Sequence, residues 1–127
     1  MESPFVGREK IIENEHAFAV YDKFPVSEGH SLVIPKKPYE KITDMPKNEV
    51  ADLFSHVPQI ATAILKATGA VAFSIAQNNG KEAKQIIPHA HVHIIPRYAD
   101  KATMWTKRGI PTDEELAELQ KKIVNSF

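Results

Sequence analysis

Three histidines, His89, His91 and His93, alternate with Ala90, Val92 and Ile94. In an extended strand, side chains two apart share a face, so the three imidazoles line one side and the apolar residues the other. Their successive Cα atoms then lie roughly 6.6 Å apart. Imidazole titrates near neutral pH and can act as base, hydrogen-bond donor or nucleophile. Rings this close repel one another when charged, so one or two stay neutral at pH 7 and their partners sort donor from acceptor nitrogens. Three readings are open. The rings are hydrogen-bonded structural groups on a sheet face, against which stands the scarcity of histidine in strands and cores. Or two of them share a tetrahedral metal ion, although a third two residues on overreaches it and no carboxylate or cysteine stands nearby in the sequence. Or one attacks phosphorus and forms a phosphohistidine-type intermediate, while its neighbours bind phosphate oxygens and protonate the leaving group.

The elements that would position these rings follow from periodicity. His16 to Tyr21 reads as a strand with Phe18 and Val20 on one face. Pro25, Ser27 and Gly29 mark a loop, and Ser31 to Ile34 form a second strand stopped by Pro35. Residues 46–68 read as the main helix. Asp44 can cap it, Pro46 suits its first position, and Gly69 stops it. Val50, Leu53, Phe54, Val57, Ala61, Ile64 and Leu65 form its apolar stripe, His56 lies outside the stripe as a solvated residue, and Pro58 predicts a kink. Val71 to Ile75 is a further strand, Gln77 to Gly80 a turn, Lys81 to Lys84 a polar loop, and His89 to Pro96 the histidine strand. Residues 97–111 are irregular. Thr112 to Glu115 resemble a capping box that starts a terminal helix, with Leu116, Leu119 and Ile123 as its buried face. Short strands with brief connections fit an α+β domain with a mostly antiparallel sheet.

Composition bounds the rest. With 127 residues the chain reads as one domain, 1–127, large enough to bury a core unaided. It has no cysteine, which excludes a thiol nucleophile, a disulfide framework and cysteine-ligated zinc. Sixteen Lys and Arg balance sixteen Asp and Glu, so no basic field recruits nucleic acid. Apolar runs fall short of a membrane span, and Met1-Glu2-Ser3-Pro4 does not read as a signal peptide, so a cytoplasmic location is expected. Lys36-Lys37, Arg97 and His16 read as surface residues. Met104 and Trp105 read either as packing residues or as a cover for a base.

The run His89-Ala90-His91-Val92-His93-Ile94-Ile95 resembles the histidine triad (HIT) family of nucleotide hydrolases and transferases. The likeness extends to Gly29-His30-Ser31-Leu32-Val33-Ile34-Pro35-Lys36, to Asp22-Lys23-Phe24-Pro25 before it, to Asn78-Asn79-Gly80 and Gln85, and to Pro96-Arg97, and covers about residues 5–98. It implies a HIT-like fold, a roughly five-stranded antiparallel sheet with one long and one short helix, continued across a homodimer to which the long helix's stripe could contribute. His91 is then the nucleophile, acting at the α-phosphate of a purine nucleotide derivative. His89, helped by His30, orients it, and His93 contacts the phosphate or the bridging atom. Asn78 meets phosphate through its amide, with Gln85 in the same loop. Asp22 holds the ribose hydroxyls and Phe24 flanks the nucleoside. A carboxylate suits paired hydroxyls, and amides and imidazoles suit phosphate oxygens. No metal is needed for the covalent step, though Mg²⁺ can accompany a polyphosphate.

Two positions depart from the family pattern. Ile86 stands where Ser or Thr is common, and Lys84 where Gly is frequent. Of the family's branches, one cleaves dinucleoside polyphosphates. The other, Hint-like, cleaves phosphoramidates and usually ends in Trp-Pro-Pro-Gly. Trp105-Thr106-Lys107-Arg108-Gly109 differs from that tail and favours polyphosphate cleavage. A nucleotide-binding interaction protein with little turnover would need the same pocket.

Overall fold

In the computed structural model, residues 9–23, 25–99 and 112–127 are described. Five strands form one antiparallel sheet in the order β1-β2-β3-β5-β4. They are β1 (Ile12–Glu13), β2 (Ala17–Tyr21), β3 (Ser31–Pro35), β4 (Ala72–Ala76) and β5 (Val92–Arg97). The helices are α1 (Lys47–Ser55), α2 (Val57–Thr68) and α3 (Asp113–Val124). The two-residue strand β1 lies in a leading segment whose mixed composition carries no strand signal. None of the helices among the described residues is long and apolar enough to cross a membrane.

Alternation along the inner strands divides the sheet into two apolar faces. On one, Ala17, Ala19, Val33, Val92 and Ile94 meet Met45, Leu53, Val57, Ile60, Ala61 and Ile64 from the helical side. On the other, Phe18, Val20, Leu32 and Ile34 cluster with Ile87. Register then fixes where His93 points. It pairs with Leu32 across β3 and with Ala76 across β4, so it shares the second face, away from α1 and α2.

The expected long helix is two helices. The break falls at His56, and Pro58 occupies the opening of α2, where a missing N–H costs no helical bond. His56 at that junction is buried, not solvated, because the break turns it inward. The apolar stripe includes Ile60 and omits Phe54, which is exposed. That stripe is core of this protomer, so it is not the surface through which a second copy could bind. The terminal helix starts as expected, with Thr112 and Glu115 capping each other. Its expected burial does not occur: Leu116 and Ile123 remain 49% and 52% exposed. The side chain of Leu119, together with Phe24 and residues 100–111 (hence Met104 and Trp105 to Gly109), lies outside the described residues.

Gly29 enters β3 at φ +89°, and a Cβ there would meet Ile64 Cγ2 at 3.0 Å and Pro96 Cγ at 3.2 Å. Gly69 also has positive φ, but nothing lies within 4 Å of its Cβ position. Urea denaturation should therefore show Gly29→Ala losing about 1–3 kcal/mol through combined strain and overpacking. Gly69→Ala should lose only about 1 kcal/mol, from backbone strain. Equal losses would mean that close packing at Gly29 contributes nothing.

Candidate active site

The histidine segment is only partly a strand. β5 begins at Val92, and residues 89–91 are held by other bonds. Pro88 brings no N–H, the His89 N–H turns back to the Ile87 carbonyl at 2.8 Å, and the Ala90 N–H donates to the Tyr39 carbonyl at 2.7 Å. The rings therefore do not form one flat row. His91 and His93 stay together, with ring centroids 5.0 Å apart and edge-on. His89 is buried, and its Nε2 donates to the Pro35 carbonyl at the end of β3, 2.7 Å away. Its place beside His93 is taken by His30, whose ring centroid is 5.1 Å from that of His93.

Partner chemistry decides which nitrogen of each neutral ring carries the proton. The Val26 N–H donates to His30 Nδ1 at 3.0 Å, so the His30 proton resides on Nε2. That proton is shared with His93 Nδ1 at 2.8 Å, which leaves the His93 proton on Nε2. His91 Nδ1 lies 2.7 Å from the His89 carbonyl and must donate to it, so the His91 lone pair is on Nε2. His89 thus orients His91 through its backbone carbonyl rather than its ring, and His30 aligns with His93 rather than His91.

Asp22 sits half-buried beside this cluster, its Oδ2 3.3 Å from His30 Nε2 and 3.9 Å from His93 Nδ1. Asn78 is half-buried just past β4. The last pair of the β4–β5 ladder, Ala76 with His93, lies two residues before it. Gln85 is engaged with its own loop. It accepts from the Gly80 N–H at 2.7 Å and donates to the carbonyls of Glu40 and Ile87 at 2.6 and 3.1 Å. Sequence reading missed Asn79, whose Oδ1 accepts the Ile42 N–H at 2.9 Å and ties the same loop to the segment before α1. Lys84 adopts φ 68°, where glycine would be unstrained, and Ile86 is 90% exposed. Arg97 shares the His93 face, and its Nε donates to Ser74 Oγ at 3.1 Å. His16, expected at the open surface, is half-buried against Glu49 and Asp52, with N···O distances of 3.7 and 3.5 Å.

The one group of ligand atoms among the described residues that could hold a metal is Asp22, His30 and His93, with all three atoms within 4.8 Å of one another. It is not the run of three alternating histidines. His30 Nε2 and His93 Nδ1 are now close enough to share a proton. Two nitrogens on one tetrahedral zinc, each about 2 Å from it, stand about 3.3 Å apart, so an ion would have to displace that proton and spread the rings.

Burial shapes the electrostatics. Desolvation pushes His93 down to about 4, with the charges of His91 and His30 adding to it and Asp22 opposing. Desolvation likewise lowers His30, with Asp22 opposing and Arg97 and His91 assisting. It lowers His89 too, against its bond to the Pro35 carbonyl. The unfolded chain takes up these protons near pH 6.5 and the folded chain only at lower pH. Unfolding therefore gains protons in this window, and stability falls as pH drops from 6.5 towards 4. For His93, held near 4, the loss is about 3 kcal/mol. Urea midpoints between pH 7.5 and 4.5 should fall steadily, and less steeply in His93→Asn. A flat profile would mean that these rings are not desolvated.

The HIT domain matches residues 6–100. Adenylylsulfatase HINT3 of Arabidopsis thaliana is 38% identical over 115 residues, covering 87% of this chain and 58% of that protein. Adenosine 5'-monophosphoramidase HNT1 of Saccharomyces cerevisiae is 33% identical, covering 91% of this chain and 72% of its own length. The asymmetrical bis(5'-nucleosyl)-tetraphosphatase of Schizosaccharomyces pombe is 36% identical, covering 72% of this chain and 50% of that protein. The chain thus spans little more than half of the first of these relatives and half of the last. Among solved structures, SMU.412c from Streptococcus mutans superposes with a TM-score of 0.87 at 34% identity, covering 95% of this chain and 78% of that one. With its five-stranded antiparallel sheet and its grouped histidines, the chain belongs to the HIT domain family.

Proposed function

We propose that this chain is a nucleotide hydrolase or transferase that acts at the α-phosphate of purine nucleotide derivatives through a nucleotidyl-histidine on His91. The observation that carries the reading is the sorting of protons between adjacent rings. His91 has its lone pair on Nε2, and His93 presents an N–H on Nε2 from a ring 5.0 Å away. A bond forms from His91 Nε2 to phosphorus as the bond from phosphorus to the leaving atom breaks. The charge that develops on His91 is held by the His89 carbonyl, and the His93 N–H stabilises charge growing on the leaving atom. Water then adds at phosphorus, the N–P bond breaks, a proton goes to solvent and the mononucleotide leaves. Asn78 and the backbone of the 80–87 loop face the phosphate, and Asp22 takes the ribose hydroxyls. The covalent step needs no metal, and Mg²⁺ accompanies a polyphosphate as part of the substrate.

The same electrostatics support one leaving group over the other. A ring held near 4 is cationic in only about one molecule in a thousand at pH 7. It can donate a hydrogen bond but rarely a whole proton. Phosphate departs as an anion and needs no proton, whereas an amine needs one. This favours dinucleoside polyphosphates, the substrate class in the name of the Schizosaccharomyces relative. The phosphoramidase relative supports the second reading, a phosphoramidate hydrolase.

The purified protein should consume a dinucleoside tetraphosphate, and a fluorogenic adenosine phosphoramidate more slowly, with chelator leaving the latter rate unchanged. His91→Ala should lower turnover at least 10³-fold while AMP still binds. If AMP binds and neither compound is consumed, the protein is a nucleotide-binding module. If His91→Ala turns over normally, the nucleophile is elsewhere.

We also propose that the sheet continues across a two-fold axis through β4. This strand lies at the sheet edge, where Val71, Phe73 and Ile75 are 41–66% exposed. An apolar edge of this kind invites pairing with a second chain. Sedimentation should give twice the 14.2 kDa protomer mass, and Phe73→Lys should shift it towards the protomer. An unchanged mass in the variant would place the contact elsewhere.

A further inference from the structure

One carboxylate on the helical face has no part in the chemistry above. Glu49 stands in the first turn of α1, four residues before Leu53 and on the same stripe, and is only 3% exposed. A charge buried among apolar groups is retained only where specific partners hold it. Its Oε2 accepts from the Tyr39 hydroxyl at 2.5 Å and lies 3.9 Å from Lys37 Nζ. Its Oε1 makes no hydrogen bond and faces His16 Nδ1 at 3.7 Å. That carboxylate holds the Tyr39 hydroxyl protonated, raising it above the ordinary tyrosine range.

Tyr39 reaches the triad through its main chain. Its carbonyl accepts the Ala90 N–H at 2.7 Å, and Ala90 is fully buried. The Ala90 N–H and the His89 C=O are two ends of one peptide group. That same C=O accepts from His91 Nδ1 at 2.7 Å. A peptide group is planar, and its N–H and C=O point in opposite directions. Fixing the N–H on Tyr39 therefore fixes the direction of the carbonyl that sets the His91 tautomer. Polarisation of the amide by the first bond also strengthens the second.

We infer that Glu49 and Tyr39 are positioning residues for His91, acting from the helical face of the sheet through the His89–Ala90 peptide plane. The inference rests on His91 being the nucleophile. Its structural part concerns the ring's tautomer and orientation, which can be read without any substrate. Glu49 anchors the phenol, the phenol anchors the Tyr39 backbone, and that backbone aims the peptide. Glu49→Gln keeps an acceptor for the phenol through its amide oxygen, so it should behave nearly as the parent does. Glu49→Leu and Tyr39→Phe each remove the bond.

The test uses the full chain with nitrogen-15 labelled histidine. In the parent, the imidazole nitrogen shifts of His91 should report the tautomer with its proton on Nδ1. In Tyr39→Phe and Glu49→Leu that signature should give way to an exchanging mixture of tautomers, and Glu49→Gln should restore it. On a dinucleoside tetraphosphate, kcat should fall roughly tenfold in both disruptive variants with KM within twofold. Tyr39→Phe/Glu49→Leu should be no worse than either single change, since both break one bond. An unchanged His91 signature in folded Tyr39→Phe would overturn the inference. So would a loss confined to KM, or equal losses in Glu49→Gln and Glu49→Leu. If Tyr39→Phe does not fold, the pair Glu49→Gln and Glu49→Leu decides alone. If the parent turns over no nucleotide, the functional reading fails, and the imidazole signature still decides whether Glu49 and Tyr39 position the ring.

Discussion

The cluster depends on burial that disfavours charge on His30, His89 and His93. A neutral ring has one N–H and one lone pair, and the group opposite each nitrogen decides their places. Here backbone groups make most of those decisions. The Val26 N–H faces His30, the His89 carbonyl faces His91, and the Pro35 carbonyl faces His89. The His30–His93 contact joins two side chains, and its direction is already set by Val26. Backbone groups cannot change protonation state within the working pH range. A site wired to them keeps its tautomers fixed for as long as the rings stay neutral.

The sheet is built to serve that wiring. β5 lies between β3 and β4, so His93 has a strand on either side and little freedom. The helical face opposite is lined by small residues on β2, Ala17 and Ala19, which let α1 pack close, while α2 packs on β5. Gly29, pressed against Ile64 and Pro96, delivers His30 into the cluster from the end of the loop that carries Asp22. Packing on one face thus fixes geometry on the other, and the edge strand β4 is left to meet what lies outside the protomer.

The alternating pattern made the strands, the two sheet faces and the pairing of His91 with His93 legible from the residues alone. It misplaced His89 because period-two reasoning assumes that a strand runs wherever side chains alternate. Pro88 and the Ala90–Tyr39 bond instead end the ladder at Val92. Pro58 marks the break near His56 in the sequence, but propensity alone does not say on which side of a proline the helix restarts, so a kink and a junction look the same. Glu49 left a signal that went unread: an acidic residue in phase with Leu53 and Val57 on an apolar stripe. What it touches depends on a turn, Pro38 to Lys41, whose path no local pattern encodes. The exposed stripe of α3 shows the opposite limit, because amphipathicity reveals that a face is apolar but not what covers it.

The loop between β4 and the triad shows how shape and chemistry separate. Lys84 and Ile86 differ from the family pattern in side chain, yet Lys84 takes the left-handed φ that a glycine would take. Gln85 bonds to Gly80, Glu40 and Ile87, and Asn79 bonds to Ile42, so the path of the loop is set by amides on backbone groups. Strain of about 1 kcal/mol at a non-glycine residue in this region is small beside four such bonds at about 1 kcal/mol each. The path can therefore persist while residues 84 and 86 vary. What varies is chemical: Lys84 brings a cation, and Ile86 an exposed apolar surface in place of a hydroxyl. A hydroxyl donates one directed bond to a phosphate oxygen, whereas an ammonium on a flexible stem attracts any nearby anion over a longer range.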